Sequence, residues 1–519
     1  MINLLAQPNR YSHANPTLPS LTSFRHVGTT ALVAALSVLS GCVVGPDYQA
    51  PKMALADKWH ATGAAKTSSP ALAQWWQRLN DPILNDLVEK AVASNLDVAK
   101  AKASIREARA TTRQEYGSLL PSVSGSSSAT RDRGQVSGSE PTVYSQYQAG
   151  FDASWEIDLF GSTRRGVEAA KYGEQVTEEQ LRDTLVTLVG DVASYYVQAR
   201  EYQLLTALAQ RSAKSQRETA RLTREQIDAG IVSRVDVAKA EAQAASTEAD
   251  IPSYQITYAT SVNRLAVLLG QSPMTLDAVM RKSKPIPFPP SKTAAGVPAD
   301  VLTNRPDVRA AERQLAQATA KIGQAEANRY PSLSLTGSID TSATNLADLG
   351  KKSTISWSFG PQVSVPIFQG GQLKAAVDVA KAQRDEYFFA YQSSVLGAME
   401  DVENAITSLN RARSRLASLT KSARGYREAS LLSKELYEAG SIDLFDVLDA
   451  ERSLYSAESN AIQAQADIAT YYIALNKALG GGWAGPVDIG QSPVADTNEG
   501  PHLASNPAGG LKAAARSPQ

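Results

Sequence analysis

The sequence predicts a mixed α/β body written twice, each copy running helix, two strands, long helix and returning helix. Its strands are too few to close on themselves within one chain. Three observations predict this. Matching residues recur at a constant offset of 210 positions, the difference between 307 and 97: Asp97 with Asp307, Pro121 with Pro331, Asp191 with Asp401, Gly230 with Gly440, Asp236 with Asp446 and Gly270 with Gly480. Four segments alternate apolar and polar residues with period two. Residues 162–229 and 371–439 contain no proline and carry heptad-like apolar stripes. A repeat this long is a duplicated subdomain rather than a solenoid unit, so the copies occupy equivalent places in one assembly.

Ahead of the body, residues 1–41 read as a lipoprotein signal peptide. Arg25-His26 precedes the apolar stretch Ala31 to Leu39 and then Leu39-Ser40-Gly41-Cys42. A basic residue, a short apolar run and small residues make a secretory leader. The Leu-Ser-Gly-Cys form resembles the lipobox of bacterial lipoproteins, in which the cysteine is acylated and becomes the first residue. Each buried acyl CH₂ contributes about 0.8 kcal/mol, so several chains anchor firmly. Val43 follows in place of aspartate, which among such lipoproteins implies the outer membrane. Residues 42–90 are then a lipid-anchored N-terminal segment belonging to an equatorial region.

Residues 91–270 form the first copy, with strands near 119–129 and 145–159, a long helix near 162–229 and a return helix near 233–270. In the second strand Ala149, Phe151, Ala153, Trp155, Ile157 and Leu159 alternate with Gly150, Asp152, Ser154, Glu156 and Asp158. Such a strand faces two media. In a soluble sandwich the polar face meets outer water; in a membrane barrel it lines the lumen. Small serines and acids opposite aromatics suit a wet interior. The long helix carries Leu181, Leu185, Leu188, Val192 and Tyr195 in steps of four and three. At 1.5 Å per residue it spans roughly 100 Å, longer than a globular core needs. Ala229-Gly230 stops it, as a left-handed cap does. Pro252 is expected to kink the return helix.

Residues 271–300, with Pro285, Pro287, Pro289 and Pro290, form a linker expected to wrap the helices as a belt. The second copy, 301–480, has strands near 331–341 and 353–367, a long helix near 371–439 and a return near 442–480. Its helix stripe is Tyr391, Val395, Ala398, Val402 and Ala405. Residues 481–519 are rich in Gly, Pro, Ser and Ala and are expected to be disordered.

Composition excludes several classes. Lys plus Arg and Asp plus Glu both number 52, so no bulk charge attracts nucleic acid. The four histidines, His13, His26, His60 and His502, all lie outside both copies, and Cys42 is the single cysteine. Zinc sites of the usual kind and His-assisted nucleophiles are thereby excluded from the body, and no catalytic residue, metal or cofactor is expected beyond a covalent lipid on Cys42. The smallest membrane barrels have about eight strands, so two or three chains, giving eight or twelve strands, are needed if these strands enter lipid.

The duplicated plan, the lipobox, Trp75-Trp76 with Asp81-Pro82-Ile83-Leu84 and Asn95-Leu96-Asp97, and above all Tyr437-Glu438-Ala439-Gly440-Ser441-Ile442-Asp443-Leu444-Phe445-Asp446-Val447-Leu448-Asp449-Ala450-Glu451 resemble the TolC-like outer-membrane efflux factors, lipoprotein branch, from about Cys42 to Gly482. The resemblance implies a mixed α/β membrane protein: a homotrimer whose twelve-stranded outer-membrane β-barrel, four strands per chain, continues into a long α-helical barrel with a mixed equatorial domain. It implies an exit duct for an inner-membrane pump of the resistance-nodulation-division type, joined through a periplasmic adaptor.

The same resemblance assigns site residues. Asp446 and Asp449, with Asp236, look like an acidic periplasmic gate, although an acid near a helix start also caps it. Tyr437 matches a tyrosine that bonds a neighbouring helix, and Asp236 is within its expected reach. The family's arginine after the tip glycine is absent, with Ile442 in its place. The turn residues Gly230, Ile231, Val232, Ser233, Gly440, Ser441, Ile442 and Leu444 would meet the adaptor, or pack locally. Phe151, Trp155, Trp357 and Phe359 lie on apolar strand faces, as membrane-facing aromatics or as core. Two alternatives stand beside the efflux duct: the outer channel of a type I protein secretion system, and a lipid-anchored coiled-coil scaffold with no pore.

Overall fold

The computed structural model describes residues 43–53, 59, 72–134, 141–228, 232–291 and 304–483. The signal peptide, Cys42, Gly230, Ile231 and the tail beyond 483 lie outside the described residues.

The repeat offset reappears in the element boundaries. After a 3₁₀ turn at Trp75–Leu79 come α1 (Pro82–Ser94), α2 (Leu96–Gly117), β1 (Ser122–Gly134), β2 (Thr142–Ile157), α3 (Ser162–Asp228), α4 (Arg234–Leu268) and the short α5 (Asp277–Met280). The second copy follows with α6 (Pro306–Ala327), β3 (Ser332–Ala343), β4 (Ile355–Ser364), α7 (Gln372–Glu438) and α8 (Leu444–Ala478). Helices α2, α3 and α4 map onto α6, α7 and α8 at both ends by the 210-residue offset.

All four strands end a few residues away from the expected positions, and two of these boundaries have a visible physical reason. β1 begins at Ser122, because Leu119 and Leu120 still donate to Tyr116 and Gly117 and so finish the turn of α2. β4 ends at Ser364, ahead of Pro366, which has no N–H to give to a ladder. α4 continues unbroken through Pro252.

The strands form one antiparallel sheet in the order β1-β2-β3-β4. Gly125, Phe151, Ile339 and Trp357 share one row across it, and Val363 opposes Leu333. Because opposed residues share a face, the apolar residues of all four strands collect on one side. The other side is a polar ladder: Ser338 and Ser358 hydroxyls lie 2.9 Å apart, and Ser356 donates to Asp340 at 2.5 Å. Gly150 stands in this polar row because a Cβ there would come within 2.8 Å of the Asp340 Cβ. β1 and β4 do not pair with each other, so the sheet has two open edges.

The helices form two antiparallel hairpins, α3 with α4 and α7 with α8, and α8 also packs against α3. The expected stripes face inward: Leu181, Leu188 and Val192 in one copy, and Tyr391, Val395, Ala398, Val402 and Ala405 in the other, are buried. At the equator, Trp75 packs edge-on against Trp76 and Tyr472. Asp81 caps α1 through the amides of Ile83 and Leu84 and accepts from the Tyr196 hydroxyl at 2.6 Å. The described part of the linker crosses the long helices. The buried Arg200 on α3 donates to the carbonyls of Met280 and Lys282, while Arg413 on α7 donates to those of Pro290 and Ser291. Ile286, Pro287 and Pro289 are buried beneath it. Among the described residues no helix is long and apolar enough to cross a membrane.

Candidate functional site: the two-faced sheet and the helical tip

The sheet presents to its surroundings what a soluble fold would bury. Phe151, Trp357 and Phe359 are 63%, 76% and 70% exposed, and Val123, Ile339 and Val363 lie on the same face. Leaving these apolar side chains in water forfeits roughly 1.5–3 kcal/mol each, so the face requires a lipid or protein partner. Trp155 differs from the other three aromatics. It is half-buried and donates its indole N–H to the Leu119 carbonyl at 3.0 Å, tying β2 to the end of α2. That polar tether suits an interfacial tryptophan, with its ring apolar and its N–H satisfied.

Below the sheet, the chain emerging from residue 42 is pinned at the strand–helix junction. Val44 donates to the Phe160 carbonyl, and Arg165 reaches Val44, Gly45 and Asp47. Tyr48 donates to Glu312 at 2.5 Å. Gly45 has a φ of +90°, and a Cβ there would come within 2.3 Å of the Gly323 backbone, so the tether lies directly on α6.

At the far end, the two hairpin turns begin alike and then diverge. Ser233 is the N-cap of α4 and forms a complete capping box with Asp236: the Ser233 hydroxyl accepts from the Asp236 amide, and the Asp236 carboxylate accepts from the Ser233 amide. These bonds hold the Asp236 carboxyl below its ordinary pKa. In the second copy the N-cap is Asp443, which makes no side-chain cap bond. The Ser233 hydroxyl also donates to the Asp236 carboxylate at 2.7 Å, a bond that a second carboxylate in place of the serine cannot supply. Asp446 consequently has no side-chain partner among the described residues, whereas Asp449 pairs with Arg452 at 2.5 Å. α7 ends at Gly440 with φ +72°, and Ser441 donates back to the Leu436 carbonyl in a Schellman turn.

Two expectations at the tip are corrected. The Tyr437 hydroxyl donates to Gln226 on α3 at 2.5 Å rather than to Asp236, whose carboxylate is held in the capping box. Burial raises the Tyr437 phenol pKa, and the charge of nearby Asp236 adds to the rise. Leu444, expected on a docking surface, is buried with Ala220, Ala240 and Leu448, because at the first helical position it faces α3 and α4. Its neighbour Phe445 is 64% exposed instead. Ser233, Gly440 and Ser441 are exposed, and Val232 and Ile442 half-exposed. Gln226 carries no signal in sequence; Phe445 and Glu451 stand in the Tyr437–Glu451 stretch without an assigned role, and Glu451 matches Glu241 under the repeat offset. No cluster of three metal-ligating side chains occurs among the described residues.

An open two-faced sheet continued by long hairpins defines a membrane-conduit class of protein. The family model for outer membrane efflux proteins matches residues 87–271 and 297–481, one match per copy, and the chain belongs to that family. It is 36% identical to Nodulation protein T of Rhizobium leguminosarum bv. trifolii over 450 residues, 86% of this chain and 96% of that protein. It is 33% identical to the solvent efflux pump outer membrane protein SrpC of Pseudomonas putida, over 87% of this chain and 97% of that one. Among solved structures, the outer-membrane channel OprN superposes with a TM-score of 0.79 at 34% identity, covering 85% of this chain and all of that one. The open-state MtrE outer membrane channel of Neisseria gonorrhoeae gives 0.74 at 33%, over 85% and 98% of the two chains. The protein is an outer-membrane efflux component that extends into the periplasm, and it is not an enzyme.

Proposed function

We propose that three copies of this chain close their sheets edge to edge into a twelve-stranded barrel, a passive exit duct for small molecules delivered by a periplasm-spanning pump. The observation that carries this reading is the sheet itself, apolar and exposed on one face, polar on the other, with β1 and β4 unpaired. Lipid tolerates no open edge, so β4 of one copy must pair with β1 of the next. Three copies give a lumen, where two would give about eight strands and a filled interior. A pore-free scaffold gives no reason for that face. The outer channel of a secretion system has the same demands, and only the partner pump separates it from efflux. The relatives named for efflux pumps favour efflux.

In this reading Cys42 carries the lipid. Val43 and Val44 lie against Gly161 and Phe160, where the strands meet the helices, so an acyl chain on the preceding residue would sit at the barrel's base. The exposed tip residues, with Phe445 and Val235, would receive hairpins of a periplasmic adaptor that joins the resistance-nodulation-division pump. Asp446 and Asp449 of three protomers, on the symmetry axis, would form the acidic gate. The test is the purified protein in detergent and planar bilayers: a trimeric mass and discrete cation-preferring conductance are expected, and a monomer without current would overturn the reading.

A further inference from the structure

The strand pair β1–β2 rises above the rest of the sheet. Its last pairing with β3 is Tyr147 with Ala343, whereas β1 and β2 stay paired beyond that row, from Thr130 with Gln146 to Gly134 with Thr142. Within this ribbon the sequence reads Ala129-Thr130-Arg131-Asp132-Arg133. The register places Arg131 and Arg133 on the face that carries Val123, Phe151 and Trp357, and Asp132 on the opposite, polar face. Both arginines are exposed, and the residues opposite them, Ser145 and Val143, are uncharged. Neither arginine has an ion-pair partner among the described residues.

The rest of the apolar face makes the pair conspicuous. Among the described residues of the four strands, no other position on that face carries a charge. Duplication does not account for them either. At the offset of 210 their counterparts on β3 are Thr341 and Ala343, which stand inside the sheet and are neutral.

Their height explains why charge is tolerated there. Val123 is the first residue of β1 on the apolar face, and Arg131 and Arg133 follow it by eight and ten residues. At a rise of about 3.4 Å per residue and a strand tilt of about 40°, they stand roughly 21 and 26 Å above it. The apolar band of a membrane barrel is about 25 Å tall, so the pair reaches the far edge of that band. Charge is strongly disfavoured at the middle of the band and costs little at its edge, where headgroups replace hydrocarbon. Tyr147, half-buried on the same face, occupies the next row inward, a level that suits an amphipathic ring.

We propose that Arg131 and Arg133 form a lipid site on the outer wall of the barrel and grip the phosphate groups of phosphorylated glycolipid in the outer leaflet. The ribbon lies at the end of the sheet away from the helices, so the lipid it meets is that of the outer leaflet. A guanidinium binds phosphate through two parallel N–H bonds, which an ammonium cannot reproduce. Two residues apart on one strand, the arginines stand about 7 Å from each other, so each can take a phosphate of its own. The pair thereby sets how far the barrel rises in the membrane and holds anionic lipid against its wall. The inference rests on the conduit reading above, which puts this face against lipid.

The test uses the full-length lipidated protein in detergent, with bisphosphorylated lipid A or its dephosphorylated form as the probe. Native mass spectrometry counts the lipids retained. The wild type should retain lipid A and release the dephosphorylated form. Arg131→Gln with Arg133→Gln should lower retention on the order of tenfold, as loss of a charge-assisted bond predicts. Arg131→Lys with Arg133→Lys should fall between the two, because the charge remains and the fork is lost. Asp132→Asn, on the polar face, should match the wild type. Conductance in phospholipid bilayers shows that each variant is folded and inserted, and it should not change. Equal retention by the wild type and the double glutamine variant, or equal retention of the dephosphorylated lipid, would overturn the lipid site and leave the conduit reading in place. A wild-type protein that neither trimerises nor conducts would overturn the conduit reading instead.

Discussion

Asn95 and Arg305 hold the same position in the two copies and make the same connection with different chemistry. The Asn95 amide donates to the Leu268 carbonyl at 2.8 Å, and the Arg305 guanidinium donates to the Ala478 carbonyl at 3.2 Å. Each residue starts a helix and closes the last turn of its own hairpin. The adjoining Gly270 and Gly480 have φ +67° and +74°, and a Cβ on either would come within 2.5 Å of the Ser94 or Asn304 carbonyl. The junction therefore fixes where each hairpin leaves the equator.

Asn95 is buried and also caps α2 through the amides of Asp97 and Val98. Asn95→Ala removes the cap and strands the Leu268 carbonyl, so we expect a loss of about 2–3 kcal/mol. Asn95→Asp keeps the cap but not the donor, and should lose less. Thermal unfolding followed by circular dichroism orders the two variants; equal losses would discard the cross-hairpin bond as a stabilising contact.

The divergence of the two N-caps bears on the proposed acidic gate. Asp443→Ser recreates the Ser-x-x-Asp box of the first copy, draws the Asp446 carboxylate back onto the backbone and should stabilise the tip by about 1 kcal/mol. Cation block in bilayers should weaken in that variant, and weaken further in Asp446→Ala with Asp449→Ala, whose conductance should rise. Unchanged block in both would remove the acids from the gate.

Trp357 lies at the centre of the apolar face. In the proposed barrel a lysine there places charge against lipid at a cost of about 2–4 kcal/mol near the bilayer midplane. Trp357→Lys should therefore deplete the protein from outer-membrane fractions, whereas Ser358→Lys, on the polar face, should leave it inserted. Equal insertion of the two would show that the face does not meet lipid.

Glu201 on α3 has its pKa pushed up to about 7, by burial first and by the charge of Asp467 second. The folded state thus holds this proton more tightly than the unfolded chain does. The associated stability is complete below the ordinary value of 4.5 and is lost as pH rises through about 7. Glu201→Gln should therefore stabilise the protein by about 1–2 kcal/mol at alkaline pH, after discounting for partial solvent screening. It should be nearly neutral near pH 4. A gain that does not grow with pH, measured by denaturation across the range, would rule out Glu201 as its source.

Much of the architecture was legible because duplication fixes positions independently of propensity. Asp97 and Asp307, or Gly270 and Gly480, located equivalent helix ends before any helix was visible, and proline-free heptad stripes gave α3 and α7 their length. Strand ends were less legible. Leu119 and Leu120 look like strand residues, and only their backbone bonds to α2 assign them to a turn. At the tip, sequence offered the acids but not their partners: the bond from Tyr437 goes to Gln226, more than two hundred residues away along the chain.

The sequence by itself determined the repeat, the period-two faces and the length of the helices, because these follow from local order and regular spacing. Tertiary structure decided which member of each repeated pair remains local and which reaches across. Ser233 and Asp236 satisfy each other within one turn, while Asp443 makes no cap bond and Asp446 is left without a side-chain partner among the described residues. Glu241 faces solvent, while Glu451 is buried between hairpins. The reason is that two copies folded against each other share one seam, and residues equivalent in sequence meet different neighbours there.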